Sequence, residues 1–370
     1  MLRLTIAAIL SAAFAIAHAA PAPLTATQVL NQMNAVSLTD ITARPGGHVH
    51  GRTWAAGTVT DGQYGNQLGA APKSDYAGLT AGSVVGSKNQ WGQGNLMVNQ
   101  GGAVINGSAS NLLVNDGSSV INGNVSGTTF NGAAYVAGNV VDSRLDRGGL
   151  VTGTVTNSPI NGGTLAGMTA GMATANAAAT STNFGGVLNN LSNSLSRLDS
   201  TGSTVKFDGS KATFSAVADA TGVAVFDLTG IDDTLFAANE FDFKLNGATT
   251  VIMNTDIKSA SIHANFLGGS ARNVGSQVIW NFYDATSLTI SSQFGGTVLA
   301  TDALVTNTAD IEGGLFANAL DLRAQVHVQP FTGNVDSLSP VPEPTMVAMI
   351  MAGLAVFGVG RARRRECFTR

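Results

Sequence analysis

The chain has 370 residues, of which 19 are basic and 23 acidic, and 44% are apolar. Charged residues make up only 11%, and the 45 glycines suit short strands joined by frequent tight turns. Because Val, Ile, Leu and Phe recur throughout, the composition excludes an ordinary disordered linker. Nucleic-acid binding is disfavoured, since no basic stripe remains once the two ends described below are removed.

Residues 1–19 have the features of a secretory signal peptide. Arg3 supplies a positive start, residues 4–17 are apolar, and Ala17 and Ala19 fit the small-x-small pattern of a cleavage site. We therefore expect the mature chain to begin just after Ala19. The alternative, a buried N-terminal helix, would be broken by the two prolines that follow.

An approximate repeat, two or more apolar or β-branched residues followed by glycine, occupies residues 101–163. Its segments begin at nearly equal spacing, at Val104, Val120, Tyr135 and Leu150. Short strands stacked at about 4.8 Å would pair their backbones and share one core. The repeat predicts the rungs of a β-solenoid, and an antiparallel meander with the same turn spacing stays open as the alternative.

A helical segment follows the repeat. Thr182 or Asn183 would cap its start, and Gly202 lies beyond its end. The leucines that recur on one face are Leu188, Leu191, Leu195 and Leu198. We expect this helix to pack lengthwise on the solenoid and to shield an apolar flank. A coiled-coil partner helix is the alternative, but the segment is shorter than about three heptads.

Strand patterns return after the helix, and they complete the predicted domain of residues 20–333. The fold class predicted is mostly β, a β-solenoid with a long helix packed alongside. The later strands are expected at residues 204–207, 212–214, 223–228, 241–245, 249–253, 277–282, 287–290 and 297–299. Residues 47–59 and 81–85 are candidates for earlier rungs, and residues 334–340 are expected to be a linker.

Three elements follow one another near the C-terminus: a Pro-Glu-Pro motif, an apolar run and a cluster of arginines. The prolines would keep the chain extended before the apolar run, which would make roughly 24 Å of helix. The arginines would stay on the cytoplasmic side of the membrane. The elements are Pro342, Glu343 and Pro344, then residues 345–360, then the basic tail 361–365 with Arg361, Arg363, Arg364 and Arg365.

Together these elements, residues 341–366, resemble the PEP-CTERM sorting signal. The resemblance implies passage through the secretion translocon, a transient intermediate in the inner membrane, and cleavage by an exosortase in a Gram-negative bacterium that makes exopolysaccharide. Removing both ends takes away six arginines and two glutamates, which leaves 13 basic and 21 acidic residues and a net charge near −8. The cysteine of the chain, Cys367, lies in the tail, so no disulfide is expected in the mature protein.

The region from about residue 24 to residue 333 resembles the choice-of-anchor A family of adhesive domains. The stretches that carry the likeness are residues 47–57, 280–286, 296–300, 311–317 and 329–333. His50 departs from the family pattern, which has an acidic residue there. The resemblance implies a surface location and supplies no catalytic residues.

Two histidines are the candidate metal ligands. His48 and His50 would project from one face of a strand, and His263, His327 or an aspartate would have to complete a site. Surface or turn histidines are the alternative, and we predict no metal and no cofactor.

Catalysis is not expected, because no nucleophile elbow, mature cysteine or Walker loop is present. Asp232 and Asp233 are adjacent, so they should point to opposite faces of a strand or lie in a turn. A polysaccharide-degrading solenoid is the alternative that keeps an enzyme in view.

The function predicted is that of an exported structural or adhesive protein of the cell surface or extracellular matrix. It would bind exopolysaccharide or other cells through many weak contacts. An ice-binding or polysaccharide-binding solenoid is the alternative, since Thr152, Thr154 and Thr156 alternate and would line one face with hydroxyls and methyls.

Overall fold

The computed structural model describes residues 21–88 and 95–338, and the fold there is mostly β, as the sequence predicts. The α-helices are short, and they are α1 (Ala26–Gln32), α2 (Ala170–Ala178), α3 (Phe184–Leu195), α4 (Asp232–Phe236) and α5 (Ser270–Val274). Single 3-10 turns occur at Leu68–Ala70, Leu267–Gly269 and Asp336–Leu338. None of the described helices has the length and apolar character needed to cross a membrane, and the sorting helix predicted at residues 345–360 lies outside the described residues.

Most strands between α1 and α2 are short because glycine and asparagine turns interrupt them. They are β1 (Ala35–Ser37), β2 (Ile41–Ala43), β3 (His48–Val49), β4 (Thr53–Thr60), β5 (Gly62–Tyr64), β6 (Leu79–Val85), β7 (Leu96–Val98), β8 (Ala103–Ile105), β9 (Ala109–Ser110), β10 (Leu112–Val114), β11 (Ser119–Ile121), β12 (Val125–Ser126), β13 (Thr129–Phe130), β14 (Ala134–Val136), β15 (Val140–Val141), β16 (Arg144–Leu145), β17 (Gly149–Val151) and β18 (Val155–Thr156).

The strands after α3 are longer and include the segments predicted there. They are β19 (Thr204–Asp208), β20 (Lys211–Ser215), β21 (Val223–Asp227), β22 (Glu240–Lys244), β23 (Thr250–Thr255), β24 (Ser259–Ile262), β25 (Asn265–Phe266), β26 (Val278–Phe282), β27 (Ser287–Ile290), β28 (Phe294–Gly295), β29 (Thr297–Asn307), β30 (Ile311–Glu312), β31 (Leu315–Leu322) and β32 (Gln325–His327).

Most strands stack in parallel in three rows, and β19, β20, β22 and β25 form a separate sheet in which β19 is antiparallel to β20. The helix-covered row runs β21–β23–β26–β29–β31–β1–β4–β6–β8–β11–β14–β17, and the third row runs β28–β30–β32–β3–β5–β7–β10–β13–β16. The open row runs β24–β27–β29–β31–β2–β4–β6–β9–β12–β15–β18, where the long strands β4, β6, β29 and β31 contribute to two rows. The first strands of the chain thus lie in the middle of the stack, between the last strands and β4.

The predicted repeat is paired in register. Val104, Val120, Tyr135 and Leu150 are successive partners in β8, β11, β14 and β17, and every pair is parallel. The antiparallel meander is therefore wrong for this stretch. We call residues 95–163, where register partners recur at nearly constant intervals along the chain, the regular half of the stack.

Residues 204–327, which we call the aromatic half, are less uniform. We call one passage of the chain through the rows a coil. The register partners Val251 and Val278 lie much farther apart in sequence than the partners Val298 and Leu315, so the coils differ in length. Aromatic side chains fill the space inside the larger coils. Trp280 is fully buried, and its indole Nε1 donates to the carbonyl oxygen of Gly295 at 2.9 Å.

A helix lies where the sequence predicts one, as α3, and it packs on the helix-covered row, but with 12 residues it is shorter than the long helix predicted. Asn183 is the cap, and its side chain accepts from the Gly186 N–H at 3.0 Å. Leu188, Leu191 and Leu195 are fully buried against residues of that row such as Ile279, Leu299 and Phe316, and Leu198 follows the helix end. Helix α2 covers the same row farther along, over Val104 and Val120.

The segment predicted as a linker begins with ordered contacts. Val335 is fully buried, and the Asp336 carboxylate accepts from the Thr25 hydroxyl and from the Thr27 N–H, both at 2.9 Å. These bonds satisfy donors at the start of α1. Because they join residues near opposite ends of the sequence, no local sequence pattern predicts them. The two ends of the domain therefore meet on the helix-covered row.

Candidate functional site

The open row presents a continuous column of small outward side chains. Each is the direct register partner of the next, and all are exposed or half-buried: Ser261, Thr289, Thr306, Asp321, Thr42, Thr60, Val85, Ser110, Ser126, Val141 and Thr156. Their neighbours along each strand point inward. With strands about 4.8 Å apart, the column is roughly 50 Å long.

A second column runs beside the first. In the aromatic half it contains Ser259, Ser287 and Leu304, which are partners in β24, β27 and β29. In the regular half it continues as a ladder of polar side chains in the turns before β12, β15 and β18. The Asn139 N–H donates to Asn124 Oδ1 at 2.9 Å, and the Thr154 N–H donates to Asn139 Oδ1 at 2.9 Å.

The hydroxyls of the column are free to meet a ligand. Thr42 is exposed and Thr60, Thr289 and Thr306 are half-buried, and within the described residues none of their side-chain oxygens makes a hydrogen bond. A charge interrupts the column at Asp321, which accepts from Arg323 Nη2 at 2.6 Å. The apolar members Val85 and Leu304 are 47% and 45% exposed, so the surface mixes methyls with hydroxyls and has one paired charge.

The three threonines noted in the sequence do not share one strand, which corrects that expectation. Strand β17 ends at Val151 and β18 begins at Val155, so a turn separates Thr152 from Thr156. Thr152 donates from its hydroxyl to the Ala137 carbonyl at 2.6 Å, and Thr154 belongs to the turn ladder. Only Thr156 of the three lies in the column, and the hydroxyl surface comes from other strands.

The candidate metal ligands lie in the third row. His48 begins β3, and His50 follows its end with Nε2 at 3.0 Å from Gln325 Oε1. The fold brings His327 to His50, with ring centroids 4.8 Å apart, because β3 pairs with β32. Among the described residues no group of potential ligands has an arrangement that could hold a metal ion.

Neutral imidazoles suit this location. Burial lowers the pKa of His50, and the charge of His327 and that of His48 act in the same direction against the effects of Gln325 and Asp310. Burial likewise lowers the pKa of His48.

Sequence reasoning missed a buried carboxylate beside these histidines. Glu312 is 2% exposed and accepts from His327 Nδ1 at 2.8 Å, Arg272 Nε at 3.2 Å, Gln293 Nε2 at 2.8 Å and Gln329 Nε2 at 3.0 Å. Burial alone would raise the pKa of Glu312, but the bonds and charges of His327 and Arg272 bring that pKa below its usual value. With every bond made inside the protein, Glu312 holds β30, β32 and α5 together.

The paired aspartates also have structural partners. Asp232 begins α4, where its side chain accepts from the Thr255 hydroxyl at 2.8 Å and from the Asp233 N–H at 2.9 Å. Asp232 is buried and Asp233 is exposed. The two aspartates therefore lie in the first turn of a helix, and not in a strand.

The remaining predicted site residues belong to the two ends of the chain. The cleavage residues Ala17 and Ala19 lie outside the described residues, as do Pro342, Glu343, Pro344 and the basic cluster of Arg361, Arg363, Arg364 and Arg365. The predictions for these residues stand on the sequence alone.

Two family models match the chain. Residues 26–328, most of the chain, match the family described as "Putative Ice-binding-like adhesive domain". Residues 340–365 match the PEP-CTERM protein-sorting motif, which implies export, processing by an exosortase and sorting to the bacterial cell surface. Comparison with curated proteins and with solved structures gave no match.

Proposed function

Because the chain belongs to the family of ice-binding-like adhesive domains and carries a PEP-CTERM sorting motif, we propose that its open row binds exopolysaccharide at the cell surface. The observation that carries the proposal is the continuous column of small side chains, most of them hydroxyl-bearing, along that row. In this proposal the stacked rows are a β-solenoid of the choice-of-anchor A type. The protein works as a structural adhesin of a Gram-negative biofilm matrix, and it performs no chemistry.

The surface suits an extended, repetitive ligand. Each strand adds one or two small hydroxyl or methyl groups to the column. Individual hydrogen bonds contribute only about 1 kcal/mol, so affinity arises when one chain engages many strands at once. A polysaccharide offers hydroxyls and apolar ring faces at regular intervals, which matches this mixture.

The position of the chain ends supports the same use. Asp336 is held at the start of α1, and Leu338 packs beside α3, so the chain leaves the domain on the helix-covered row. The translocon, the inner membrane and the exosortase would act on segments attached at that row. The open row would then stay clear of the cell envelope during and after processing.

The proposal is tested with the secreted protein and the purified polysaccharide of its own host. Thr42→Tyr with Thr60→Tyr places two rings on neighbouring strands at the middle of the open row and should weaken binding at least about tenfold. The control is Thr204→Tyr with Thr213→Tyr, which places the same rings on the neighbouring strands β19 and β20. Equal binding by both variants, or no binding by the unmodified protein to matrix or cells, would overturn the proposal.

Ice is the second candidate ligand for the same row. Columns of threonine and serine at strand spacing favour it, whereas Asp321, Val85 and Val141 interrupt their regularity. Freezing hysteresis of the secreted protein separates the two ligands, since we expect none if the row serves polysaccharide. A hysteresis that Thr42→Tyr with Thr60→Tyr abolishes would assign the row to ice.

A further inference from the structure

The two ends of the stack are finished differently. At the aromatic end, β21 is covered because Thr201 Oγ1 accepts from the Val225 N–H at 3.0 Å and the Thr201 N–H donates to the Val225 carbonyl at 3.3 Å. Helix α4 packs on β24, and β19 pairs along β20. The outermost strand of that sheet, β19, carries exposed Lys206 and Asp208. This end of the stack is therefore finished by covering contacts on β21 and β24 and by a charged outer strand.

At the other end the open row finishes in a bare edge. Within the described residues, β18 pairs with β15 alone. The N–H groups of Val140 and Asp142 donate to the carbonyls of Thr154 and Thr156, at 2.8 and 3.1 Å. Because backbone groups of a parallel strand alternate between its two sides, the N–H and carbonyl of Val155 point away from β15 and into solvent.

Apolar surface accompanies this edge. Val155 continues the inward column of the open row, but no strand of the described residues pairs beyond it, and it is 44% exposed. Its partner Val140, one coil below, is 0% exposed. The end of the stack thus leaves a core position uncovered, although repeat stacks ordinarily need a polar cap there.

The edge also lacks the usual protection against pairing with another chain. Exposed edges are commonly blunted by charged side chains, yet residues 148–196 contain no Asp, Glu, Lys, Arg or His. Pro159 lies in the third row, beyond β16, and removes no donor from β18. An uncharged surface on an acidic protein selects against charged partners and allows contact with an identical surface.

We propose that this end docks against the same end of a second copy. A two-fold axis through the open row would pair the two β18 strands antiparallel, through the N–H and carbonyl of each Val155, and bury both valines. Because the same surface is used on both copies, the contact closes as a dimer and does not extend into a fibre. The open rows of the two copies then form one surface of roughly twice the length.

Sedimentation of the secreted protein over a concentration series, without polysaccharide, tests the inference. We expect a monomer–dimer equilibrium with a dissociation constant of roughly 1–100 µM, as for a small interface. Val155→Lys adds a charge to the edge and should weaken the dimer at least tenfold, with unchanged thermal unfolding of the monomer. Val85→Lys, on an equally exposed valine in the middle of the open row, is the matched control and should leave the dimer intact.

A protein that stays monomeric throughout the series, or a dimer that Val155→Lys leaves unchanged, would overturn the inference. A variant that loses thermal stability is replaced by Thr156→Lys, which adds the charge at an exposed position beside the edge. Dimerisation and polysaccharide binding are measured separately, so either proposal can fail while the other survives.

Discussion

The regular and aromatic halves belong to one stack of parallel strands, but they differ in coil length and in the size of the side chains that fill the core. In the regular half the coils are short and nearly equal in length, and apart from Phe130 the inward positions hold small or medium side chains such as Ile105, Ile121 and Val136. In the aromatic half the coils are longer, and Trp280 packs against Phe214 and Phe241, with ring centroids 5.8 and 5.9 Å away. The difference shows that coil length and side-chain size change together while the rows remain continuous.

Substitutions should therefore destabilise the two halves for different reasons. In the regular half, the short coils leave little room between their turns, so backbone contact between successive coils limits which residues are tolerated. In the aromatic half, large side chains fill the longer coils, so loss of one ring opens a cavity that the surrounding strands cannot close.

Trp280→Ala should have the largest effect. Loss of a fully buried indole, with its bond to Gly295, is expected to lower the free energy of unfolding by about 3–5 kcal/mol. Val136→Ala, also at a fully buried inward position but in the regular half, removes far less volume and should cost less than half as much. Urea unfolding of the secreted protein measures both, and equal losses would contradict the proposed difference between the halves.

Gly132→Ala tests the tight spacing of the regular half. A Cβ at Gly132 would overlap the carbonyl oxygen of Gly117 in the neighbouring coil, so the turn has to shift. We expect a loss of about 1–3 kcal/mol in the free energy of unfolding.

Gly167→Ala is the control for this change, because a Cβ there meets no atom within 4 Å and the backbone is not left-handed. It should be close to neutral. If both alanine variants unfold at the same urea concentration, close approach of the coils is not what requires glycine at residue 132.

The sequence predicts the regular half well because its repeat is local. Val104, Val120 and Tyr135 have similar chemistry at nearly equal spacing, and those spacings reappear as strand register. Asn183 and the leucines of α3 are likewise readable, since a cap and a helical face depend on residues within a few turns.

The open row is not readable in the same way. Thr42 stands between Asp321 and Thr60 because the first coil of the chain inserts between the last strands and β4. Neighbours that far apart in sequence leave no periodic pattern, and two-residue strands such as Val125–Ser126 are too short to show alternation. The same insertion brings His50 against His327, which sequence alone presents as unrelated histidines.

The histidines around β3 lie between the two halves, and they supply the smallest expected effect. His48 and His50 have lowered pKa values in the folded protein, so below the usual value of 6.5 the unfolded chain takes up protons first. Their neutral forms therefore favour folding fully above about pH 6.5, and that contribution is lost as the pH falls below it. Glu312, with its pKa lowered from 4.5, adds a loss at more acidic pH.

His50→Gln should flatten the first part of this dependence, between pH 6.5 and the lowered pKa of His50, because glutamine fills similar space and cannot take up the proton. His263→Gln is the control, since His263 is exposed and bonds to Asn239 at 3.1 Å. The free energy of unfolding is measured from pH 8 to pH 5 for both variants. An unchanged slope in His50→Gln would mean that the cluster around β3 and β32 does not control acid stability, whereas a reduced slope would place acid sensitivity beside the coil that joins the two halves.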